Sequence, residues 1–357
     1  MKRLRLGVIG AGSWAVASHL PNFAARDDVE MVAVARKGPE LLERVRRDFG
    51  FAHASEDYRD VLAAGVDLCL VASPTGLHHE HAKAAMQAGA HVLVEKPFTI
   101  APADAWELVD VAARTERHLV VAFGWNYRPM VVDFVQALKT HGGIGEIEQV
   151  TVHMASATRE LLTNTGAYPE SAPESIPEQS TWTDPRVSGG GYGQAQLSHA
   201  LGLLLHVTGL RGASVFALTS APHEAPVELH DAAVVRFDGG AIGTLAGGSA
   251  FTGAGDNKHQ LEIRAIGSEG QLLLDVERER AWLWRTDGVE VDPRLEPEAG
   301  RYDCDGPPAA LVDLALGKRV VNRSPGEMAA RTVEILDALY RSAASGRLEA
   351  TTADAGA

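Results

Sequence analysis

The chain has 357 residues, 45% hydrophobic and 22% charged, a profile that excludes a predominantly disordered protein and gives length for two ordinary domains. Its 33 Lys and Arg against 47 Asp and Glu leave a formal net charge of −14, which argues against general attraction to nucleic acid or an anionic membrane. Two cysteines, Cys69 and Cys304, form neither a disulfide framework nor a zinc-type pair, so a reduced, cytoplasmic setting is expected.

The opening Met1–Gly7 runs straight into an apolar strand, without the longer apolar run and cleavage site of a signal peptide. No apolar stretch approaches the ~20 residues that cross a bilayer. In the first third, strand-like runs at Leu4–Ile9, Glu30–Ala35, Asp67–Ala72, His91–Val94 and Leu119–Phe123 alternate with helical patterns at Trp14–Ala25, Pro39–Phe49, Leu77–Ala88 and Pro102–Arg117. Apolar strands separated by helices predict a parallel, doubly wound sheet covered on both faces.

Beyond Phe123 the rhythm changes. Val131–Thr140 predicts a helix and Glu146–Ala157 alternates with period two, while Asn164–Val187, with four prolines, predicts an irregular excursion. An apolar helix follows Gly189-Gly190-Gly191 and ends near Val207. Strand patterns at Ala213–Thr219, Ala232–Phe237, Gly243–Ser249, Gln260–Ile266, Gln271–Val276 and Ala281–Arg285 then predict an antiparallel sheet. A last helix, Gly326–Ser345, precedes a tail, Thr351–Ala357, expected to fray. The expected fold class is an α/β Rossmann domain, residues 1–123, plus an α+β domain, residues 124–357, with a large, mostly antiparallel open sheet.

Gly10-Ala11-Gly12-Ser13-Trp14-Ala15 follows the first strand and opens a helix, the setting a dinucleotide fingerprint requires. Gly10 permits the tight turn, Gly12 lets backbone N–H groups approach a pyrophosphate, and Ala15 allows close helix–strand packing. An NAD site usually carries an acid about 20 residues beyond the motif. Here the second strand ends Val34-Ala35-Arg36-Lys37-Gly38, with two cations that suit the extra phosphate of NADP. NADP(H) is therefore expected, with NAD(H) as the other reading. Further on, Glu95-Lys96-Pro97 puts a lysine at the carboxyl end of the fourth expected strand, the edge where open parallel sheets bind ligands.

In order along the chain, Gly10–Ala15, Ser73-Pro74-Thr75-Gly76-Leu77-His78, Ala85–Val92, Glu95-Lys96-Pro97, the triple glycine with His199, and the Glu334–Gly346 helix pattern resemble the Gfo/Idh/MocA oxidoreductases, named for glucose-fructose oxidoreductase and inositol dehydrogenase. The resemblance implies a nicotinamide-binding Rossmann domain, a mostly β substrate domain whose sheet forms oligomer contacts in a homodimer or homotetramer, and hydride transfer at a secondary alcohol or ketone of a sugar, sugar derivative or cyclitol. It implies that Lys96 binds the reacting oxygen and helps move its proton. Ser73, Pro74, Thr75 and His78, with Ser13, Trp14 and Glu95, fall on the cofactor, and Arg128 falls beside the active cleft.

One departure from the pattern concerns the helix after the triple glycine. Many relatives carry Asp and, four residues later, His; here His199 is present but the aspartate position is Ala195. The expected proton-transfer groups are Lys96 and His199, with Tyr192 as a further acid or hydrogen-bond donor; Gln196 and Arg128 join them as substrate contacts. His78, His79 and His81 lack a matching acid or cysteine cluster, so no metal is expected. The excursion, with Tyr168, Trp182, Asp184 and Arg186, suits either a substrate cover or an oligomer arm. Two other functions stay open: sugar elimination or hydrolysis with tightly held NAD(H) used transiently, and a non-catalytic NAD(P)- or sugar-binding regulator.

Overall fold

The computed structural model describes residues 3–167, 180–251 and 260–351. Two sheets organise them. The first holds β1 (Leu4–Ile9), β2 (Val29–Ala35), β3 (His53–Ser55), β4 (Leu68–Val71), β5 (His91–Val94) and β6 (Leu119–Val121) in the order β3-β2-β1-β4-β5-β6, all parallel. This is the doubly wound order whose topological switch lies between β1 and β4. Leu68, Cys69, Leu70 and Val71 are all buried, as expected of a strand covered on both faces. The helix Pro39–Phe49 shows how local signals fix an element: proline in its first turn, Arg46 and Arg47 in its last, and Gly50 at φ 70° closing it.

Two elements of this layer escape the apolar pattern. β3 is three residues long, and the helix Tyr58–Ala63 buries only Val61; it starts because the Asp57 carboxylate accepts from Arg59 N–H at 2.9 Å.

The second sheet holds β7 (Ile147–Ser156), β8 (Gly212–Ser220), β9 (His230–Phe237), β10 (Ile242–Ser249), β11 (Gln260–Gly267), β12 (Gly270–Asp275), β13 (Arg280–Arg285), β14 (Glu290–Val291) and β15 (Glu349–Ala350). Their order is β14-β13-β12-β11-β7-β10-β9-β8-β15, antiparallel except where β7 meets β10. Strict alternation along β9 buries Asp231, Ala233, Val235 and Phe237 and exposes Ala232, Val234 and Arg236. Helices Ser198–Thr208 and Gly326–Ser345 cover the buried face.

One segment corrects the expected division at residue 123. The helix Gly306–Ala315 buries Leu311 and Val312 among Leu6, Val8, Leu68, Leu70, Leu93 and Val120, so it completes the first layer, not the second. The chain then runs along β6, where Val121 N–H donates to Ser324 O at 2.9 Å and Asn322 Nδ2 to Leu119 O at 2.9 Å. Among the described residues no helix is long and apolar enough to cross a membrane. The expected fraying of residues 352–357 falls outside the described residues.

Candidate active site

A cleft of about 450 Å³ lies between the two sheets, over the carboxyl ends of β1, β2, β4 and β5. Its first wall is the glycine turn. Gly10 sits at φ 92°, and a Cβ there would run into the backbone of Ala72 and Ser73, so only glycine closes this turn against β4. Gly12 also lines the cleft, and a Cβ there would meet only open space. Past the turn the helix loosens into a π-helical turn, Ala15–His19, before Leu20–Ala24. That turn brings His19, fully buried, to Glu95, where its Nε2 hydrogen-bonds Oε1.

Glu95 and Lys96 leave the end of β5 and enter a cis Lys96–Pro97 bond. The second Glu95 oxygen accepts from Lys96 N–H at 2.9 Å. Burial pushes this carboxyl upward, but the His19 hydrogen bond and the His19 and Lys96 charges outweigh it and hold the group below its usual range. The Lys96 ammonium donates to the carbonyl oxygen of Ala195 at 3.0 Å. Burial lowers its pKa, and the nearby Glu95 charge opposes that shift without cancelling it. His78 braces the turn from below, its ring bridging Ser73 O at 2.6 Å and Pro97 O at 2.9 Å.

The opposite wall comes from the triple glycine and a second π-helical turn, Gly193–Leu197. Each glycine makes room for one neighbour: a Cβ at Gly189 would crowd the Gln194 amide, at Gly190 the Tyr340 hydroxyl, and at Gly191 the Glu228 carbonyl. Gln194, Ala195, Gln196 and His199 all line the cleft. Edge-on rings of Trp125 and Tyr302 flank His199, each with its centroid 5.1 Å away.

All the expected cofactor residues come together here: Gly10, Gly12, Ser13, Trp14, Arg36, Lys37, Ser73, Pro74, Thr75, His78, Glu95 and Lys96 line this one cleft with Gln196 and His199. Two expectations need correction. Tyr192 is fully buried in the second domain, its ring against Gly247 and its hydroxyl donating to Met154 O at 3.2 Å while accepting from Ser156 Oγ at 3.1 Å; it does not line the cleft. Arg128 forms an ion pair with Asp303 and donates to Glu298 O at 3.3 Å, so it fastens the 298–303 segment and lies outside the lining.

Within the excursion, Trp182 and Thr181 face the cleft, whereas Asp184 and Arg186 pair with each other at 2.7 Å on the surface. Tyr168 lies outside the described residues. Tyr302 enters the cleft without any periodicity or motif to announce it; the fold brings it there through Trp125 Nε1 donating to Gly300 O at 3.2 Å. Cys304, beside it, is buried, and burial pushes its thiol up to about 12.

The residues present fit a dinucleotide. The open space over Gly12 can admit a pyrophosphate against backbone, and the single carboxylate among the described lining residues, Glu95, is already engaged. Arg36 lies at the far end, its Nη1 donating to Ala11 O at 3.1 Å, with Lys37 beside it. The clustered histidines diverge: His78 holds two backbone carbonyls, His79 pairs with Glu107 at 2.7 Å, and His81 meets Ser73 Oγ at 2.8 Å. Among the described residues no group of three or more His, Cys, Asp or Glu is placed to hold a metal ion.

Residues 4–123 match the model of the GFO/IDH/MocA oxidoreductase family with its NAD-binding Rossmann fold, and residues 132–273 match the GFO/IDH/MocA C-terminal domain. D-glucoside 3-dehydrogenase of Escherichia coli (strain K12) is 33% identical over 151 residues, 42% of each chain. A dTDP-3,4-didehydro-2,6-dideoxy-alpha-D-glucose 3-reductase of Streptomyces violaceoruber is 35% identical over 153 residues, 42% of this chain and 44% of that one. The matches thus span about two fifths of the curated relatives' length. Levoglucosan dehydrogenase, solved with NADH and levoglucosan, shares the fold with a TM-score of 0.77 at 20% identity, covering 99% of this chain and 100% of that one.

Proposed function

Because the chain belongs to the Gfo/Idh/MocA oxidoreductase family, with its NAD-binding Rossmann fold, we propose that it moves a hydride between a nicotinamide dinucleotide and a secondary alcohol or ketone of a sugar, sugar derivative or cyclitol. The observation that carries this reading is that Lys96 and His199, from different domains, line the same cleft as the Gly10–Ala15 turn. Relatives named as a glucoside dehydrogenase and a deoxysugar reductase support the same class of reaction.

When bound, the nicotinamide supplies the hydride acceptor or donor. The protein's own work is positioning and proton transfer. Lys96 Nζ, steered by Ala195 O, faces the reacting oxygen and exchanges its proton; His199, held edge-on by two rings, is the second group at that oxygen. A buried lysine with a lowered pKa yields its neutral form nearer neutrality than an exposed one, which suits a base. Trp182 and Thr181 support the reading of the excursion as a substrate cover, closing water out of the cleft.

Arg36 and Lys37 at the adenosine end, with no carboxylate among the described residues lining that end, favour NADP(H) over NAD(H). Residues 1–123 with the helix Gly306–Ala315 form the cofactor domain, and the second sheet carries the substrate side. The outer face of that sheet exposes Phe216, Leu218, Val234, Ile242, Ile266 and Trp284, an apolar strip suited to pairing two copies as a homodimer or homotetramer in the cytoplasm. The test is a sugar and cyclitol panel assayed with NAD⁺ and NADP⁺ separately. Net appearance of reduced nicotinamide is expected; turnover of sugar without it would favour transient use of a held cofactor, and binding without turnover a regulator.

A further inference from the structure

Resting on the reaction proposed above, we propose that Glu228, which does not itself line the cleft, is a positioning residue for it: by fixing the start of the helix after the triple glycine, it holds the Ala195 carbonyl against Lys96.

A helix start leaves its first four backbone N–H groups without helical partners. The π-helical turn Gly193–Leu197 has no capping side chain of its own, its N-cap being Tyr192. Glu228, from the connection between β8 and β9, takes that role. Its carboxylate accepts from Gly191 N–H at 2.8 Å and Gly193 N–H at 3.1 Å, and its backbone carbonyl accepts from Tyr192 N–H at 3.0 Å. Gln194 N–H donates to Tyr340 Oη at 3.0 Å, and that hydroxyl donates to Glu228 Oε1 at 2.7 Å. Ala195 N–H then opens the helical series, donating to Gly191 O at 2.9 Å. Four successive donors thus end on one residue, and its carboxylate suits the positive end of a helix.

Glu228 has little freedom of its own. Leu229 N–H donates to Ser220 O and Ser249 N–H to Leu229 O, both at 2.8 Å, which pins the segment between β8 and β10. The glycines admit it: a Cβ on Gly191 would strike the Glu228 carbonyl, and one on Gly190 or Gly193 the Tyr340 hydroxyl. Next after these anchored amides comes Ala195, whose carbonyl takes the Lys96 ammonium at 3.0 Å. Alanine stands there in place of the carboxylate of the resembled pattern, so no side chain at 195 can reach for the lysine. The ammonium is placed by backbone, and the backbone by Glu228. An acid–base group held off its productive position loses rate steeply.

The experiment compares Glu228→Ala, Glu228→Gln, Tyr340→Phe and Val235→Ala with wild type, on the panel sugar that turns over fastest and at a temperature where circular dichroism shows each variant folded. Glu228→Ala should lower kcat about 10- to 100-fold, the range for misplacing a reacting group, with the dinucleotide Kd near wild type. Glu228→Gln keeps an acceptor oxygen and should recover most of the rate. Tyr340→Phe removes the hydroxyl that joins Gln194 N–H to Glu228 and should lower kcat about three- to tenfold. Val235→Ala, buried on β9 away from the cleft, should melt lower and turn over normally. In protein isotopically labelled at the lysine ε-carbon, the Lys96 resonance is identified by its loss in Lys96→Ala. It should shift in Glu228→Ala, stay near its wild-type position in Glu228→Gln and be unmoved in Val235→Ala. If Glu228→Ala does not fold, Tyr340→Phe decides by the same two readings.

Unchanged kcat in folded Glu228→Ala, an unmoved Lys96 resonance, a loss in Glu228→Gln as large as in Glu228→Ala, or an equal loss in Val235→Ala would overturn the proposal. Its failure is distinct from that of the broader reading. Wild-type turnover with an unmoved Lys96 resonance sinks the positioning role and keeps the oxidoreductase. A shifted resonance without nicotinamide turnover on any panel member keeps the hold on Lys96 and sinks the reaction.

Discussion

Lys96 and Ala195 are joined by a 3.0 Å hydrogen bond from the ammonium to a backbone carbonyl, at the helix position where the resembled family pattern has a carboxylate. A neutral acceptor orients the lysine without adding negative charge, so burial keeps its pKa lowered and Glu95 is the principal group opposing it. In the oxidising direction Lys96 must be unprotonated to accept the hydroxyl proton. The kcat/KM for alcohol oxidation should therefore climb with pH through the lowered lysine pKa, and that for ketone reduction should fall over the same range. Glu95→Gln removes the opposing charge and should move both curves to lower pH; a shift to higher pH would contradict the assignment.

Lys96→Ala should lower kcat by about 10²- to 10⁴-fold, the usual contribution of a positioned acid–base group. Dinucleotide affinity, followed by quenching of tryptophan fluorescence, should stay close to wild type. Near-normal turnover would remove Lys96 from the chemistry.

Arg36 is tied to the Ala11 carbonyl in the glycine turn and faces the cleft. Loss of a charge-assisted contact to a phosphate weakens binding about 10- to 100-fold. Arg36→Ala should raise the Kd for NADP⁺ by that factor and change the Kd for NAD⁺ far less. Equal loss for both would mean that the side chain supports the glycine turn instead of reading a 2′-phosphate.

Gly190 stands against Tyr340, whose hydroxyl donates to Glu228 Oε1 at 2.7 Å and accepts from Gln194 N–H at 3.0 Å. A methyl group there must displace a fixed, hydrogen-bonded ring. Gly190→Ala should lower stability by about 1–3 kcal/mol in denaturant unfolding, and should also perturb the Gln194 side of the cleft.

Asp231 is buried on the inner face of β9 with neither carboxylate oxygen hydrogen-bonded, and burial, reinforced by the nearby Glu228 charge, raises its pKa well above the usual value. A raised folded-state pKa gives stability that is present below the unfolded pKa and is lost as pH climbs through the folded one. Asp231→Asn should therefore melt higher than wild type at neutral and alkaline pH, with the difference shrinking as pH falls toward 4. A difference independent of pH would assign the effect to packing.

The first sheet was legible because its signals are local: an apolar run, a glycine turn and a helix start adjoin one another in the sequence. β3 and the helix Tyr58–Ala63 were not, since they bury too little to impose a pattern. The helix Gly306–Ala315 was not legible either: its first turn is Gly306-Pro307-Pro308, residues that carry no helical pattern although proline there costs no backbone bond.

In the cleft, the glycine turn was readable from its place between strand and helix, and Lys96 and His199 were singled out through the family resemblance, whereas Tyr192, expected beside them, lies away from the lining. Helical spacing places it near Gln196 and His199, but the chain is only entering the π-helical turn at that point, and the ring falls toward β10. Tyr302 could not be found at all, because only the return of a distant segment brings it to His199.

That return has a consequence for synthesis. Leu311 and Val312 seal one face of a sheet whose own strands are finished by Val121, and Asn22 Nδ2, near the amino end, donates to Cys304 O at 3.2 Å. During translation the nascent amino-terminal layer waits, with that face open, for nearly two hundred further residues before its last cover leaves the ribosome. An isolated fragment ending at Phe123 would inherit the same exposed patch permanently, and self-association is the fate expected of it.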